Sequence, residues 1–218
     1  MRKGILLQTE FEQPQVRSPS RLIVAIAGAS GAQYGIHALR TLRACPSVET
    51  HLVVTRSARA VIAAETNLSA ADVAELADVQ YSDNDLGAAI ASGSFCVDGM
   101  LVAPCSIKTL SGIANCYDDS LVIRAADVVL KERRRLVLLV RETPLRARHL
   151  ELMASVTTEG AVVMPPVPAF YPQPKSIEDI VAHTVGRALD LFGIETGIPR
   201  WNGRPRRLPL AFRERERG

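Results

Sequence analysis

Short unbroken apolar runs alternate along this chain with longer stretches whose apolar residues recur every three or four positions. The runs are "RLIVAIAG" (21–28), "THLVVT" (50–55), "DGMLVAPC" (98–105), "RLVLLVRE" (135–142) and "AVVMPPVPAFY" (161–171). A continuous apolar run bounded by turn residues predicts a strand buried on both faces. The periodic stretches predict helices. One covers 32–45, where Tyr34, Ala38, Leu42 and Cys45 share a face, and another 57–66. A short one at 69–78 has Ser69 as N-cap, and a strong one covers 120–134. The stretch 144–160 has Pro144 near its first position and Gly160 just past its end, and 176–193 runs from a Ser176 cap to Gly193. Between the third run and the next helix, "PCSIKTLSG" reads as a polar loop. Strand and helix alternate at least five times. The fold class expected is α/β: a three-layer, Rossmann-like (flavodoxin-like), open and mostly parallel sheet with helices on both faces.

Composition narrows the class. Hydrophobic residues make up 47% and charged residues 22% of 218 positions, enough for one large domain with its own core. Residues 1–20, with Pro14 and Pro19 and no periodicity, are expected to be a flexible extension; 21–203 form the domain, and 204–218 an arginine-rich tail. No apolar run approaches the roughly 20 residues of a membrane span. The opening apolar stretch is too short for a signal peptide. A cytoplasmic protein without a membrane partner is expected. A net charge of +3 argues against nucleic acid as a partner; the tail is the exception, read as solvated or as a docking arm. Cys45, Cys96, Cys105 and Cys116 lie scattered, with no C-x-x-C pair, so neither a disulfide framework nor a metal site is expected.

In an open parallel sheet the ligand lies beyond the carboxyl ends of the strands. "GASGAQYG" puts Gly28, Ser30 and Gly31 where a strand turns into a helix, either as an anion site of backbone N–H groups or as a tight turn that needs glycine. It matches neither the dinucleotide fingerprint nor a P-loop, and the second run ends in Thr55-Arg56 rather than an acid. Thr55, Arg56 and Ser57 join Ser106, Lys108, Thr109 and Ser111 in a hydroxyl-rich, moderately cationic rim. That rim suits one phosphate and one polar ring edge, hence FMN rather than NAD; the alternative is that these hydroxyls only cap helices. Arg124, Asp127 and Lys131 share a helix face, either as a surface ion pair or as a second phosphate site. Glu142, directly after Arg141 at the end of a buried strand, reads as a partly buried carboxylate with a raised pKa, or as a helix N-terminal acid. Glu65 is a similar, weaker candidate. The four histidines show no ligand spacing.

The segments "GASGAQYG", "PCSIKTLSGIAN", "RAADVVLKERR", "LVLLVRETPL", "HLELM", "GAVVMPPVPAFY" and "SIEDIVAHTVGRALDLFGI" resemble the flavin prenyltransferases. These are the UbiX-like, phenylacrylic-acid-decarboxylase-type flavoproteins. The resemblance runs in order over about residues 21–201. It implies transfer of a dimethylallyl group from dimethylallyl monophosphate to N5 and C6 of reduced FMN, with release of phosphate and no metal. The prenylated FMN would serve a UbiD-like decarboxylase. It also implies a homododecamer with active sites where subunits meet. It assigns Gly28, Ala29, Ser30, Thr55, Ser106, Ile107, Lys108, Thr109 and Arg141 to the flavin, and Glu142, Glu65 and Ser30 to catalysis. Ser92, Gly93, Arg124, Lys131, Tyr171, Arg187 and Trp201 go to the prenyl-phosphate pocket, with Arg124 reaching a neighbouring subunit.

The chemistry of the residues agrees. Ionising an allylic monophosphate needs positive charge and a proton for the leaving group, and Tyr171 and Trp201 offer aromatic faces to a cationic prenyl group. No D-D-x-x-D magnesium motif is present. Cys116 stands where a small residue is expected after "GIAN". Two other readings remain at this stage: an FMN-dependent cysteine-type decarboxylase, and a non-catalytic flavin-binding accessory subunit of an aromatic-acid decarboxylase.

Overall fold

The computed structural model describes residues 20–203. Its elements are β1 (Ser20–Ile26), α1 (Ala32–Arg43), β2 (Val48–Val54), α2 (Arg56–Glu65), α3 (Ala70–Ala74), β3 (Val79–Ser82), β4 (Gly99–Cys105), α4 (Ile107–Ala114), α5 (Leu121–Lys131), β5 (Arg135–Val140), α6 (Ala147–Thr158), β6 (Val162–Val163) and α7 (Ile177–Asp190). The strands form one sheet in the order β3-β2-β1-β4-β5-β6, and every pairing is parallel. Strand side chains alternate between faces, and the core divides accordingly. Ile23, Ala25, Met100, Val102, Leu136 and Leu138 pack with α4, α5 and α6. Leu22, Val24, Ile26, Leu101 and Leu139 pack with α1, α2 and α7. This is the three-layer α/β fold expected. No helix among the described residues is long and apolar enough to cross a membrane.

The chain winds outward from β1 to β3, then returns to β4 on the other side of β1, so the strand order reverses between β1 and β4. Such a reversal opens a crevice at the carboxyl edge. Backbone bonds continue past the strand ends there. The Ala27 N–H donates to the Pro104 carbonyl (3.1 Å), Thr55 N–H to Ile26 (3.1 Å), and Arg141 N–H to Cys105 (3.0 Å). The turns after β1, β2, β4 and β5 are thereby held side by side. Helix α1 lies directly on β4: a Cβ at Gly35 would stand 2.3 Å from the Ala103 carbonyl oxygen, so only glycine permits that approach.

Several sequence expectations change. The edge strand β3, "VQYS", is a sixth strand without an apolar run, half-exposed and only four residues long. The helix expected at 69–78 shrinks to α3, although Ser69 caps it as expected, in a capping box with Asp72. Pro104 and Cys105 remain in β4, and "IKTLSGIA" is helix α4 rather than a loop. The run 161–171 supplies only Val162–Val163 to the sheet, because Pro165 and Pro166 have no N–H for a ladder. Helix α6 begins at Ala147, beyond Pro144, while Gly160 follows its end with φ of +109°. Ser20 belongs to β1, so an N-terminal extension stops one residue earlier; the rest of that call and the tail 204–218 lie outside the described residues.

Candidate active site

The turn after β1, read from the sequence as an anion site or a tight turn, has two of its amide groups already engaged by a side chain. Gly31, in the left-handed region at φ of +102°, and Ala32 both donate their N–H to Glu65 Oε2, at 2.8 and 3.1 Å. The Ser30 hydroxyl lies close enough to the Glu65 carboxylate to favour its charged form. Burial opposes the charge on Glu65, but the Ser30 hydroxyl and the bonds from Gly31 and Ala32 together with the Arg141 guanidinium outweigh it, so its pKa is lowered. The expectation of a raised pKa at Glu65 is therefore corrected: its carboxylate is held in the charged form and clamps the start of α1. Ser30 is correspondingly an orienting partner of that clamp.

Among the described residues, the Gly28 and Ser30 amides of this turn have no protein partner, and further uncommitted amides lie at the start of α4. At α4, the Ser106 side chain accepts the Thr109 N–H (3.3 Å), and the two hydroxyls are 3.1 Å apart. Among the described residues, the Ile107 and Lys108 N–H groups have no protein partner. A helix N-terminus with uncommitted amides beside two hydroxyls fits one phosphate. The Lys108 ammonium turns away, 3.3 Å from Asp119 and largely exposed. Thr55 caps α2 by accepting the Ala58 N–H at 3.2 Å, and its hydroxyl lies 3.3 Å from that of Ser57. Ser57 lies over Gly28: a Cβ there would stand 2.1 Å from Ser57 Oγ. Ser57 was one hydroxyl of the expected rim, yet the family resemblance left it unassigned; its position two residues past the Thr55 cap is the only sequence signal.

Arg141 extends from the end of β5 and acts electrostatically on both Glu65 and Tyr34, whose pKa burial raises and Arg141 opposes. Glu142 is exposed, and its one hydrogen bond among the described residues comes from the Thr143 N–H, 3.0 Å. The partial burial expected for it is absent in one protomer. Cys105, at the same edge, is fully buried; burial pushes its thiol up to about 12, so it stays protonated and is no nucleophile. The donor set as a whole fits a flavin mononucleotide: free amides and hydroxyls for a phosphate, the Thr55 and Ser57 hydroxyls for polar ring atoms, and the Arg141 guanidinium at the same edge.

The residues expected around the prenyl phosphate do not gather in one protomer. Tyr171 lies on α7: its hydroxyl is 2.9 Å from His183 Nε2 and donates to the Pro199 carbonyl at 3.1 Å. Trp201 meets its ring edge-on at 5.7 Å. A cavity of about 320 Å³ opens beside them, lined in part by His183, Ile198 and Pro199. Arg187, one turn beyond His183, is half-exposed and bonds Asp190 at 2.7 Å. Ser92, Gly93 and Lys131 lie at the opposite, amino edge of the sheet. A Cβ on Gly93 would touch Glu132 and Lys131, and the guanidinium of Arg134, beside the start of β5, bonds the Gly93 carbonyl. The six-residue strand β5 separates this group from Arg141 by about 20 Å. Arg124 is held by Asp118 (3.2 Å), Asp127 (3.0 Å) and the Ala91 carbonyl (3.2 Å). Lys131 pairs with Glu132 at 2.6 Å rather than with Asp127. No cluster of three metal-ligating side chains exists among the described residues. Cys116 adopts φ of +51°, which fits the small residue expected there better than a thiol.

Comparison with known proteins places this geometry. A family model described as Flavoprotein matches residues 10–189. The chain is 54% identical over 186 residues to flavin prenyltransferase UbiX of Escherichia coli K12, covering 84% of this chain and 98% of that protein. It is similar to the crystal structure of AnUbiX (PadA1) in complex with FMN and dimethylallyl pyrophosphate, with a TM-score of 0.84 and 52% identity over 86% of this chain and 100% of that one. It is also similar to the dodecameric FMN-dependent UbiX-like decarboxylase of E. coli O157:H7, with a TM-score of 0.83 and 52% identity over 84% and 100% of the two chains.

Proposed function

The chain belongs to the flavoprotein family, among its UbiX-type flavin prenyltransferases, and on that premise we propose how its residues carry out the transfer. The protein is a transferase with FMN as prenyl acceptor. Bound reduced FMN supplies N5 and C6 as the positions joined to the dimethylallyl group. Dimethylallyl monophosphate is the donor, and phosphate leaves. The Ile107 and Lys108 amides with the Ser106 and Thr109 hydroxyls hold the FMN phosphate. Gly28 makes room for Ser57 beside the β1 turn, and Arg141 would hold the flavin ring. Glu65 keeps Ser30 and the start of α1 in place. Glu142, free of the clamp that ties Glu65, moves the proton between flavin N5 and the leaving phosphate oxygen.

Tyr171 and Arg187 take the donor phosphate, and Tyr171 and Trp201 present aromatic faces to the allylic cation. Ser92, Gly93, Arg124 and Lys131 join them from a neighbouring protomer, since one protomer holds α5 and α7 on opposite faces of its sheet. A dodecamer with sites at subunit contacts is the assembly this requires, and a UbiD-like decarboxylase receives the product. The observation that carries the reading is the carboxyl edge: uncommitted amides and paired hydroxyls at the start of α4, beside the turns after β1 and β5 that the Ala27–Pro104 and Arg141–Cys105 backbone bonds hold in place. The test is anaerobic incubation with reduced FMN and dimethylallyl monophosphate, followed by mass spectrometry of the released flavin. A gain of one prenyl unit supports the reading; tightly bound but unmodified FMN overturns it.

A further inference from the structure

Asp190 accepts hydrogen bonds from two arginines. Arg187 gives one N–H to Oδ2 at 2.7 Å. Arg200 gives two, to Oδ2 at 3.0 Å and Oδ1 at 2.7 Å. The carboxylate side chain is only 13% exposed, whereas both guanidiniums are 48% exposed. Both arginines lower the pKa of Asp190, Arg200 more than Arg187. Asp190 is therefore a fixed negative charge within contact of the arginine assigned to the donor phosphate. Glu195 is a second carboxylate near Arg200, and the Tyr171 hydroxyl faces the same group.

Arg200 reaches this spot because residues 194–201 run back along α7. A Cβ on Gly186 would stand 2.4 Å from Ile198 Cγ2 and 2.6 Å from Thr196 Oγ1, so the bare helix surface at Gly186 is the seat of that segment. The Tyr171 bond to Pro199 and its edge contact with Trp201 hold the next residues. Arg187 and Asp190 alone sum to zero charge. Arg200 restores one positive charge and takes the bidentate geometry, leaving Arg187 with a single bond to Asp190 and most of its N–H donors free.

We propose that Arg200 is a positioning residue for the donor phosphate: it satisfies and neutralises Asp190, so that Arg187 is available to the phosphate instead of being bound by that carboxylate. This rests on the reading of Arg187 as a donor-phosphate ligand. Binding of the donor would shift Arg187 from Asp190 to the phosphate while Arg200 keeps the carboxylate paired. Without Arg200, the same shift would strand a nearly buried negative charge beside an incoming anion.

Steady-state kinetics with dimethylallyl monophosphate, with FMN affinity and melting temperature measured in parallel, test this on Arg187→Gln, Arg200→Gln, Arg200→Lys, Asp190→Asn and the Asp190→Asn/Arg200→Gln double variant. Arg200→Gln is expected to raise KM about tenfold, with kcat and FMN affinity within about twofold, the scale of one charge-assisted contact. Arg200→Lys recovers part of the loss. The double variant returns KM to within about threefold of the parent, because the charge to be neutralised is gone. Equal KM values in the double variant and Arg200→Gln, or a fall in kcat that follows melting temperature, overturn the proposal. An unchanged KM in Arg187→Gln with FMN still bound would instead refute the assignment of Arg187 on which it rests.

Discussion

The carboxyl edge of the sheet and the outer face of α7 both carry polar residues that the sequence marks for phosphate chemistry, but they are built differently. At the carboxyl edge the Ile107 and Lys108 amides have no protein partner, and the Ser106 and Thr109 hydroxyls face each other. On α7 and α5 every candidate cation is already matched: Arg187 by Asp190, Lys131 by Glu132, Arg124 by Asp118 and Asp127. The first site is preorganised by backbone, and a ligand displaces only water. At the second, a phosphate must compete with carboxylates for cations lying on opposite faces of one protomer's sheet. On the proposed reading, acceptor binding follows from the fold, and donor binding from charge exchange and assembly.

The largest expected break between the two regions is at Glu142. Glu142→Gln should lower turnover by about 10²–10⁴-fold and leave FMN affinity unchanged, because the residue transfers a proton and holds no part of the cradle. Gly28→Ala comes next. Its methyl would collide with Ser57, costing about 1–3 kcal/mol of stability and most FMN affinity, and Ser57→Gly should restore much of both in thermal melts and flavin titrations. Ser106→Ala removes the α4 cap and should cost about 1 kcal/mol while weakening FMN but not donor binding.

The smallest effect is in pH. Glu65 has a folded pKa below its ordinary 4.5, so its contribution to stability is complete above that value and is lost as pH falls through the folded pKa. Melts of the parent should lose stability on acidification below pH 4.5 more steeply than melts of Glu65→Gln; parallel curves would remove the clamp from the account.

Much of the cradle is legible in the sequence because the four central strands are continuous apolar runs, and the residues after each run fall at one edge by geometry alone. Glu65 is misread because its partners are backbone N–H groups 33 and 34 residues earlier, which no side-chain pattern reports. Helix α4 reads as a loop because Pro104 seems to end the strand, and eight residues are too few for a clear apolar period. The short β3 pairs only at the sheet edge, where no buried run is needed. Glu142 reads as partly buried because it follows an apolar strand, yet β5 ends there and the protomer adds nothing to cover it. The Arg187–Asp190–Arg200 group depends on a segment folding back along α7, a tertiary fact signalled in the sequence only by Gly186 within a helix.

In the proposed assembly an acceptor half and a donor half meet across a subunit contact. Mixing two singly inactive variants, Glu142→Gln and Lys131→Met, after dissociation and reassembly tests it most directly. Random mixing should restore activity to about a quarter of the parent value, from sites that draw both intact halves from different protomers. No recovery in assemblies shown by mass to contain both variants would contradict it.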